Sequence, residues 1–304
     1  MKETNGPHIV GVFSDIHCGS TVGLMGEPVL LDDENHFHPS IIQKWLWQEW
    51  TNAWSKVKAL IPGSASFSLV SLGDLTEGIH HRSHQVISNQ ASVHSRVAME
   101  ALEVPLALKP DAIHFIRGTS AHTGSGSSRE EAMARHLLSH GYPIIGDPDT
   151  EQLSSYRRRI MVGDVLLDCA HHGRAGQRSW TSKSYSTIYA KDIWVSQMVD
   201  CYSAMRRNPE NVEDIFDRMR PPDLSLRGHH HRFVDSGPSD DFVTRLVRCG
   251  CYQMPTEFIH RIAVETLPSI GIVVLIIRGA HIEVMPILST VERSTVVKTG
   301  GNND

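Results

Sequence analysis

The sequence predicts an α/β protein in which two β-sheets pack face to face with helices outside. Three observations predict it. The first half alternates short apolar runs with segments of 3.6-residue apolar spacing, a βαβα pattern. The second half is mostly short strands joined by hairpin turns. No linker, internal repeat or low-complexity stretch divides the two halves. A chain of 304 residues with 40% hydrophobic and 21% charged side chains can bury one large core. The expected organisation is a single domain over residues 1–290 and a polar tail over 291–304.

The elements follow in order. Val10 to Ser14 is an apolar strand that ends at Asp15. Residues 18–38, rich in Gly, Asp and His, form a long loop. Ser40 with Gln43 three residues on makes a capping box. The helix it opens carries Trp47, Trp50, Trp54, Val57 and Ile61 as an apolar stripe, and Pro62-Gly63 stops it. Phe67 to Leu72 is the next strand, ending at Gly73-Asp74. A helix with Val86, Val93, Val97, Ala101 and Val104 on one face follows. Ile113 to Ile116 is a third strand, ending in Arg117-Gly118. Ser128 and Glu131 open a further helix that ends at Gly141. Arg159 to Val162 and Val165 to Leu167 form a hairpin about Gly163-Asp164 and run on to His171-His172. Tyr185 to Arg206 is a long helix, and Val212, Ile215, Phe216 and Met219 mark a shorter one before Pro221-Pro222. Leu224 to Leu226 leads into Gly228-His229-His230-His231. The end is β-rich: Phe242 to Arg248, then Ile272 to Ile277 paired with His281 to Met285 across Gly279-Ala280.

Composition excludes several classes. A net charge of −5 makes a poor general binder of nucleic acid or anionic membrane. The start, MKETNGPHIV, has no apolar signal-peptide core, and Gly271 to Ile277 is too short to span a bilayer. Five Cys, an odd number with no C-x-x-C pair, argue against a disulfide framework or zinc knuckle and for a reducing cytoplasm.

The 19 His outnumber each aromatic residue type. Several stand with Asp at four predicted strand ends: Asp15-Ile16-His17, Gly73-Asp74, His171-His172 and His229-His230-His231. Open α/β sheets place their sites beyond the carboxyl ends of strands, where distant loops converge. In D-x-H and H-x-H an extended backbone turns both outer side chains the same way. Asp with neutral His suits Mn, Fe or Zn. Two carboxylates and several imidazoles exceed one tetrahedral site and fit two ions about 3.5–4 Å apart bridged by a carboxylate, for which Asp74 is the natural choice. Each block alone has a plainer reading: Gly-Asp after a strand is commonly a turn, and His171-His172 could be a buried hydrogen-bonded pair. Their ordered joint occurrence favours the site.

That order resembles the calcineurin-like metallophosphoesterase superfamily, whose signature is D-x-H, G-D, G-N-H followed by an acid, a strand-end His, and G-H-x-H. Here the blocks are Asp15-x-His17, Gly73-Asp74, a variant third block, His171 and Gly228-His229-x-His231, spread over roughly residues 8–290. The resemblance implies a four-layer α/β/β/α sandwich of two mixed β-sheets flanked by helices. It implies two divalent metal ions, Mn first with Fe or Zn as alternatives, and direct attack of a metal-bridging hydroxide on phosphorus. Asp15, His17 and His231 would hold one ion, Asp74 would bridge, and His171 and His229 would hold the other, with His172 as the alternative to His171 or a residue that orients a ligand. The third block departs from the pattern: Gly118-Thr119-Ser120-Ala121-His122 puts Thr119 where Asn is expected. His122 is then either the general acid for the leaving oxygen or a substitute ligand. This G-T-x-x-H form is similar to a bacterial and phage-encoded subgroup.

Other residues near these loops are candidates for substrate contact. Arg117 could pair with a phosphate oxygen or be a strand-end surface charge. His80, His81 and His84 could line an entrance or be exposed helix-start residues, and Arg174 and Arg178 follow His171. Arg157-Arg158-Arg159 reads as a charged strand edge, and the Trp stripe as core. G-x-S-x-G and P-loop patterns are absent. The functions that remain are a phosphodiesterase or phosphatase acting on a nucleotide, nucleic acid or phosphoprotein, a nuclease among them, and a metal-binding scaffold of the same fold without catalysis. No membrane partner is expected.

Overall fold

The computed structural model describes residues 6–80, 84–124, 126, 128–174, 181–262 and 267–291. His81, Arg178 and nearly all of the polar tail fall outside them.

The chain begins with β1 (His8–Phe13), a small ribbon of β2 (Val29–Leu30) and β3 (His36–Phe37), α1 (Ile41–Leu60) and β4 (Ser66–Ser71). It continues through α2 (Ala91–Leu106), β5 (Ala112–Ile116), α3 (Ser120–Thr123), α4 (Ser128–Ser139) and β6 (Ser154–Ser155). The second half holds β7 (Arg157–Val162), β8 (Val165–Ala170), α5 (Ser182–Arg207), α6 (Val212–Met219) and β9 (Leu224–Arg227). It closes with β10 (Val234–Asp235), β11 (Arg245–Arg248), α7 (Glu257–Ile262), β12 (Ile270–Arg278) and β13 (His281–Ser289).

Two mixed sheets result. One has the order β13-β12-β1-β4-β5-β6 and the other β10-β11-β9-β8-β7. β1, β4, β5 and β6 run parallel, and so do β8, β9 and β11. Strand alternation divides the apolar side chains between two faces. Val10, Val12, Val70, Leu72 and Ile116 of the first sheet meet Leu167, Cys169, Leu224, Leu226 and Val247 of the second. The opposite face of the first sheet offers Ile9, Phe13 and Leu69 to Trp50, Trp54 and Val57 of α1 and Val97 and Ala101 of α2. Outside the second sheet, Ala190 of α5 packs with Leu246 and Phe242. The layers are therefore α/β/β/α.

Local chemistry sets the helices. Ser40 Oγ accepts from Gln43 N while the Gln43 side chain accepts from Ser40 N, the reciprocal cap the sequence predicts. Trp50 is fully buried and donates from Nε1 to Ala101 O at 3.0 Å, so its one polar atom is satisfied inside the core. Several expectations need correction. Val86 lies outside α2 and bridges to Ser20, because the helix begins only at Ala91. The strand expected from Phe242 is confined to β11, and the loop at 18–38 contains the β2–β3 ribbon. α5 begins three residues before Tyr185.

Candidate metal centre

Parallel pairing puts the carboxyl ends of β1, β4 and β5 at one edge of the first sheet, and those of β8 and β9 at one edge of the second. The residues just beyond these ends are Asp15 and His17, Asp74, Thr119, His171 and His172, and His229 to His231. They converge. Ligand atoms of Asp15, His17 and His231 lie within 4.8 Å of one another, and so do those of Asp15, Asp74 and His171, and those of His171, His172 and His229.

The backbone achieves this differently from the extended geometry expected of D-x-H and H-x-H. Asp15, His17, Asp74, His229 and His231 all have positive φ, at 54°, 46°, 53°, 71° and 52°. The side chains meet through left-handed turns, and strand alternation plays no part. Each such conformation costs a non-glycine residue about 1–3 kcal/mol and persists only where surroundings over-determine it. Here Asp15 N donates to Gly73 O at 3.0 Å, His17 N to Asp74 O at 3.1 Å, and Tyr252 N to Asp15 O at 3.0 Å. Two glycines are required by contact: a Cβ on Gly118 would stand 2.1 Å from Asp74 Oδ1, and one on Gly228 2.1 Å from Ser14 Oγ.

Asp15 is the electrostatic centre. Its Oδ2 accepts from His229 N at 2.9 Å and from Ser14 Oγ. Its Oδ1 is buried with no hydrogen-bond partner. That oxygen faces three imidazole nitrogens: Nε2 of His231 at 3.3 Å, of His17 at 3.7 Å and of His171 at 3.9 Å. Nε2 of His17 and His231 are 3.1 Å apart. Burial would raise the Asp15 carboxyl, but His171, His17 and His231 hold it well below its ordinary value. Burial would lower His17, yet Asp15 and Glu77 push it up to about 9. The carboxylates thus draw positive charge into a buried pocket. An orphaned buried carboxylate oxygen ringed by imidazoles is the donor set a borderline divalent cation takes, so the residues fit such an ion.

Asp74 lies between the two halves of the cluster. Its Oδ2 is 3.0 Å from His171 Nε2, and its Oδ1 accepts from Thr119 N at 2.6 Å. His171 donates from Nδ1 to Leu72 O at 2.7 Å, which leaves Nε2 to face the pocket. Thr119 Oγ1 stands 3.2 Å from His171 Nε2 and 3.3 Å from His229 Nδ1. His230, the middle residue of its triplet, turns away and contacts Gly173 O through Nε2 at 2.8 Å.

His122 approaches from α3. Its Nδ1 donates to Glu77 O at 2.6 Å, so Nε2 is the free nitrogen, grouped with His17 and Asp74. Burial first, then the neighbouring His17, lower its imidazole to about 4.

Arg117 is not brought into the cluster. Its guanidinium donates to Ser154 Oγ at 3.0 Å and Gln152 Oε1 at 2.5 Å, and lies over the Tyr156 ring. Arg174 is exposed beside Asp192, and His84 is exposed. Arg157 to Arg159 lie on the edge strand β7, where Arg157 pairs with buried Asp168. Sequence reasoning missed Glu77. This buried carboxylate lies 3.0 Å from His17 Nδ1 and 3.1 Å from His80 Nε2, and accepts from Gln253 Nε2 at 2.7 Å. The available signal was its position three residues after Asp74.

No protein-family model and no curated protein sequence matches the chain. Solved structures do. A novel archaeal phosphodiesterase is 10% identical with a TM-score of 0.39, over 91% of this chain and 99% of that one. YfcE, a phosphoesterase from E. coli, is 15% identical with a TM-score of 0.37, over 92% and 99%. Vps29 of Entamoeba histolytica complexed with zinc is 10% identical with a TM-score of 0.36, over 92% and 99%. At these scores and identities the likenesses carry no functional weight. The sandwich and its converged strand ends are nevertheless the architecture that the resemblance to the calcineurin-like metallophosphoesterases implies.

Proposed function

We propose that the chain is a metal-dependent phosphoesterase of the calcineurin-like type, acting on phosphodiester or phosphomonoester bonds. One observation carries this reading: the buried, partnerless Asp15 Oδ1 stands among the Nε2 atoms of His17, His171 and His231 beside a second buried carboxylate, Asp74. In this reading Asp15, His17 and His231 hold one divalent ion, Asp74 is shared, and His171 and His229 serve a second. Mn is the first candidate, with Fe or Zn as alternatives. Two such ions, when bound, supply Lewis acidity toward phosphoryl oxygens and an activated water.

The chain's own residues do the rest. Glu77 keeps the His17 ring turned, so that its Nε2 faces inward. Leu72 O does the same for His171. His122, fixed through Nδ1 and kept neutral by burial, presents an unprotonated Nε2, so in this reading it takes up a proton there before passing one to the leaving oxygen. Arg117 is left out of this reading, since its guanidinium turns toward Ser154 and Gln152. The substrate is a phosphoester of a nucleotide, nucleic acid or phosphoprotein, and the working compartment is the cytoplasm. No helix among the described residues is long and apolar enough to cross a membrane.

Thr119 in place of an amide ligand favours a second reading, a metal-binding scaffold without turnover. One experiment separates the two. Chelator-stripped protein is given bis-p-nitrophenyl phosphate or p-nitrophenyl phosphate, with and without Mn²⁺, beside Asp74→Asn. Diester turnover that needs both metal and Asp74 supports a phosphodiesterase, and monoester turnover alone a phosphatase. Bound metal without any turnover favours the scaffold.

A further inference from the structure

The two halves of the metal centre differ in chemistry. Around Asp15 the donors are carboxylate and imidazole together. Around Thr119 they are almost all nitrogen. The Thr119 hydroxyl stands between His171 Nε2 and His229 Nδ1, at 3.2 and 3.3 Å, where a neutral hydroxyl is a weak ligand. A third imidazole closes the gap. The His172 ring lies 4.9 Å from that of His171 and 4.5 Å from that of His229, centroid to centroid, and ligand nitrogens of all three lie within 4.8 Å of one another.

The His172 backbone is held from both sides. On one side His171 is tied by Nδ1 to Leu72 O, and its carbonyl accepts from Gly228 N at 3.0 Å. On the other, Gly173 O is taken by His230 Nε2 at 2.8 Å. A Cβ on Gly173 would come within 3.0 Å of Arg227 Cγ, so the segment packs closely on β9. His229 N is anchored on Asp15 Oδ2 at 2.9 Å. The three rings therefore come from two clamped turns. The exposed edges of His172 and His229 leave one side of the pocket open to solvent.

We propose that His172 is a metal ligand of this chain. With His171 and His229 it forms a three-imidazole pocket that takes a borderline ion such as Zn²⁺ in preference to Mn²⁺. Three imidazoles with the fourth position left to water are a tetrahedral donor set of the zinc kind, whereas Mn²⁺ favours oxygen-rich, octahedral surroundings. His172 supplies the ligand that Thr119 cannot. The inference rests on the metal-dependent reading above, but its test does not use turnover.

The test titrates Zn²⁺, Mn²⁺ and Co²⁺ into chelator-stripped wild-type protein and His172→Ala, reading affinity by competition with a chromogenic chelator and coordination by the Co²⁺ absorption spectrum. Circular dichroism and thermal unfolding confirm that the variant folds. The wild type should bind one Zn²⁺ at least about 10-fold more tightly than Mn²⁺ and show the intense visible bands of tetrahedral Co²⁺. In His172→Ala the Zn²⁺ affinity of one equivalent should fall about 10- to 100-fold or more. The tetrahedral Co²⁺ bands should fade, and Mn²⁺ binding should stay within about twofold. A folded variant with wild-type Zn²⁺ affinity and an unchanged Co²⁺ spectrum overturns the proposal. Wild-type protein that binds no divalent ion overturns the metal-dependent reading itself, and the two failures are distinguished because the second appears without any variant.

Discussion

Nδ1 of His17 lies 3.0 Å from Oε2 of Glu77, and each side chain is 2% exposed. Glu77 also contacts His80 Nε2 through Oε1, and its backbone carbonyl accepts from His122 Nδ1. One residue thereby orients three imidazoles. Burial would raise its carboxyl, and the contacts with His17 and His80 hold it below the ordinary glutamate value. Carboxylates that fix a ligand histidine contribute about 10- to 100-fold to metal affinity when removed. Glu77→Gln should weaken divalent-ion binding by about that factor and leave the fold intact, because the amide retains the shape. Isothermal titration of the stripped proteins measures it. Unchanged affinity would mean that the ring of His17 is held by packing alone.

Asp74 carries a different expectation. It is the carboxylate nearest both halves of the centre, with Oδ1 engaged by Thr119 N and Oδ2 by His171. Asp74→Asn keeps the acceptor for Thr119 N and removes the charge. Turnover of a phosphoester should fall by about 10³-fold or more, the scale of losing a preorganised electrostatic partner. The variant should keep a cooperative thermal transition and the wild-type circular dichroism spectrum. A substantial residual rate in a folded Asp74→Asn protein would remove Asp74 from the shared position.

His122 separates two roles. As the proton donor its loss lowers kcat by about 10²- to 10⁴-fold while metal content stays at the wild-type level. As a ligand its loss removes an ion. Metal analysis of His122→Ala beside its kinetics decides. Nδ1 is committed to Glu77 O, and the His17 and His80 rings meet the His122 ring edge-on at 4.6 and 4.4 Å between centroids.

Much of this centre was legible in the sequence, because strand ends announce themselves and the parallel topology then forces their ends together. Asp15, Asp74, His171 and His229 stand within three residues of the ends of β1, β4, β8 and β9. The means of convergence was not legible. Periodicity reports strand or helix and says nothing of a left-handed φ at Asp15, His17 or His231, which tertiary hydrogen bonds impose. Arg117 stands apart from the cluster for a related reason. Adjacency to the third block does not tell which way a side chain leaves the strand, and Arg117 N bonds Ser155 O at 2.9 Å, placing its guanidinium along β6. The sequence offers His172 only as an alternative to His171, and it is the hydrogen bonds of His171 O and Gly173 O, with the packing of Gly173 against Arg227, that show its backbone is clamped. Glu77 looked like any turn carboxylate until the fold buried it.

The last expectation concerns stability. Glu130, on the first turn of α4, is fully buried and neither carboxylate oxygen has a hydrogen-bond partner. Burial first, with the nearby Asp74 charge adding to it, pushes its carboxyl up to about 8 from an ordinary value of 4.5. The folded protein therefore holds the Glu130 proton more tightly than the unfolded chain does. Its contribution to stability is fully present below pH about 4.5, declines as pH rises, and is lost once pH passes about 8. Within that window the slope approaches about 1.4 kcal/mol per pH unit for this one proton. Glu130→Gln is neutral at every pH and close in shape, so it lacks this slope. Urea unfolding of both proteins from pH 5.5 to 8.5, in the presence of chelator, should show the variant gaining on the wild type by a few kcal/mol across the range. Parallel pH profiles would place the ionised Glu130 in contact with a donor, and the carboxylate would then be a satisfied part of the wall behind Asp74.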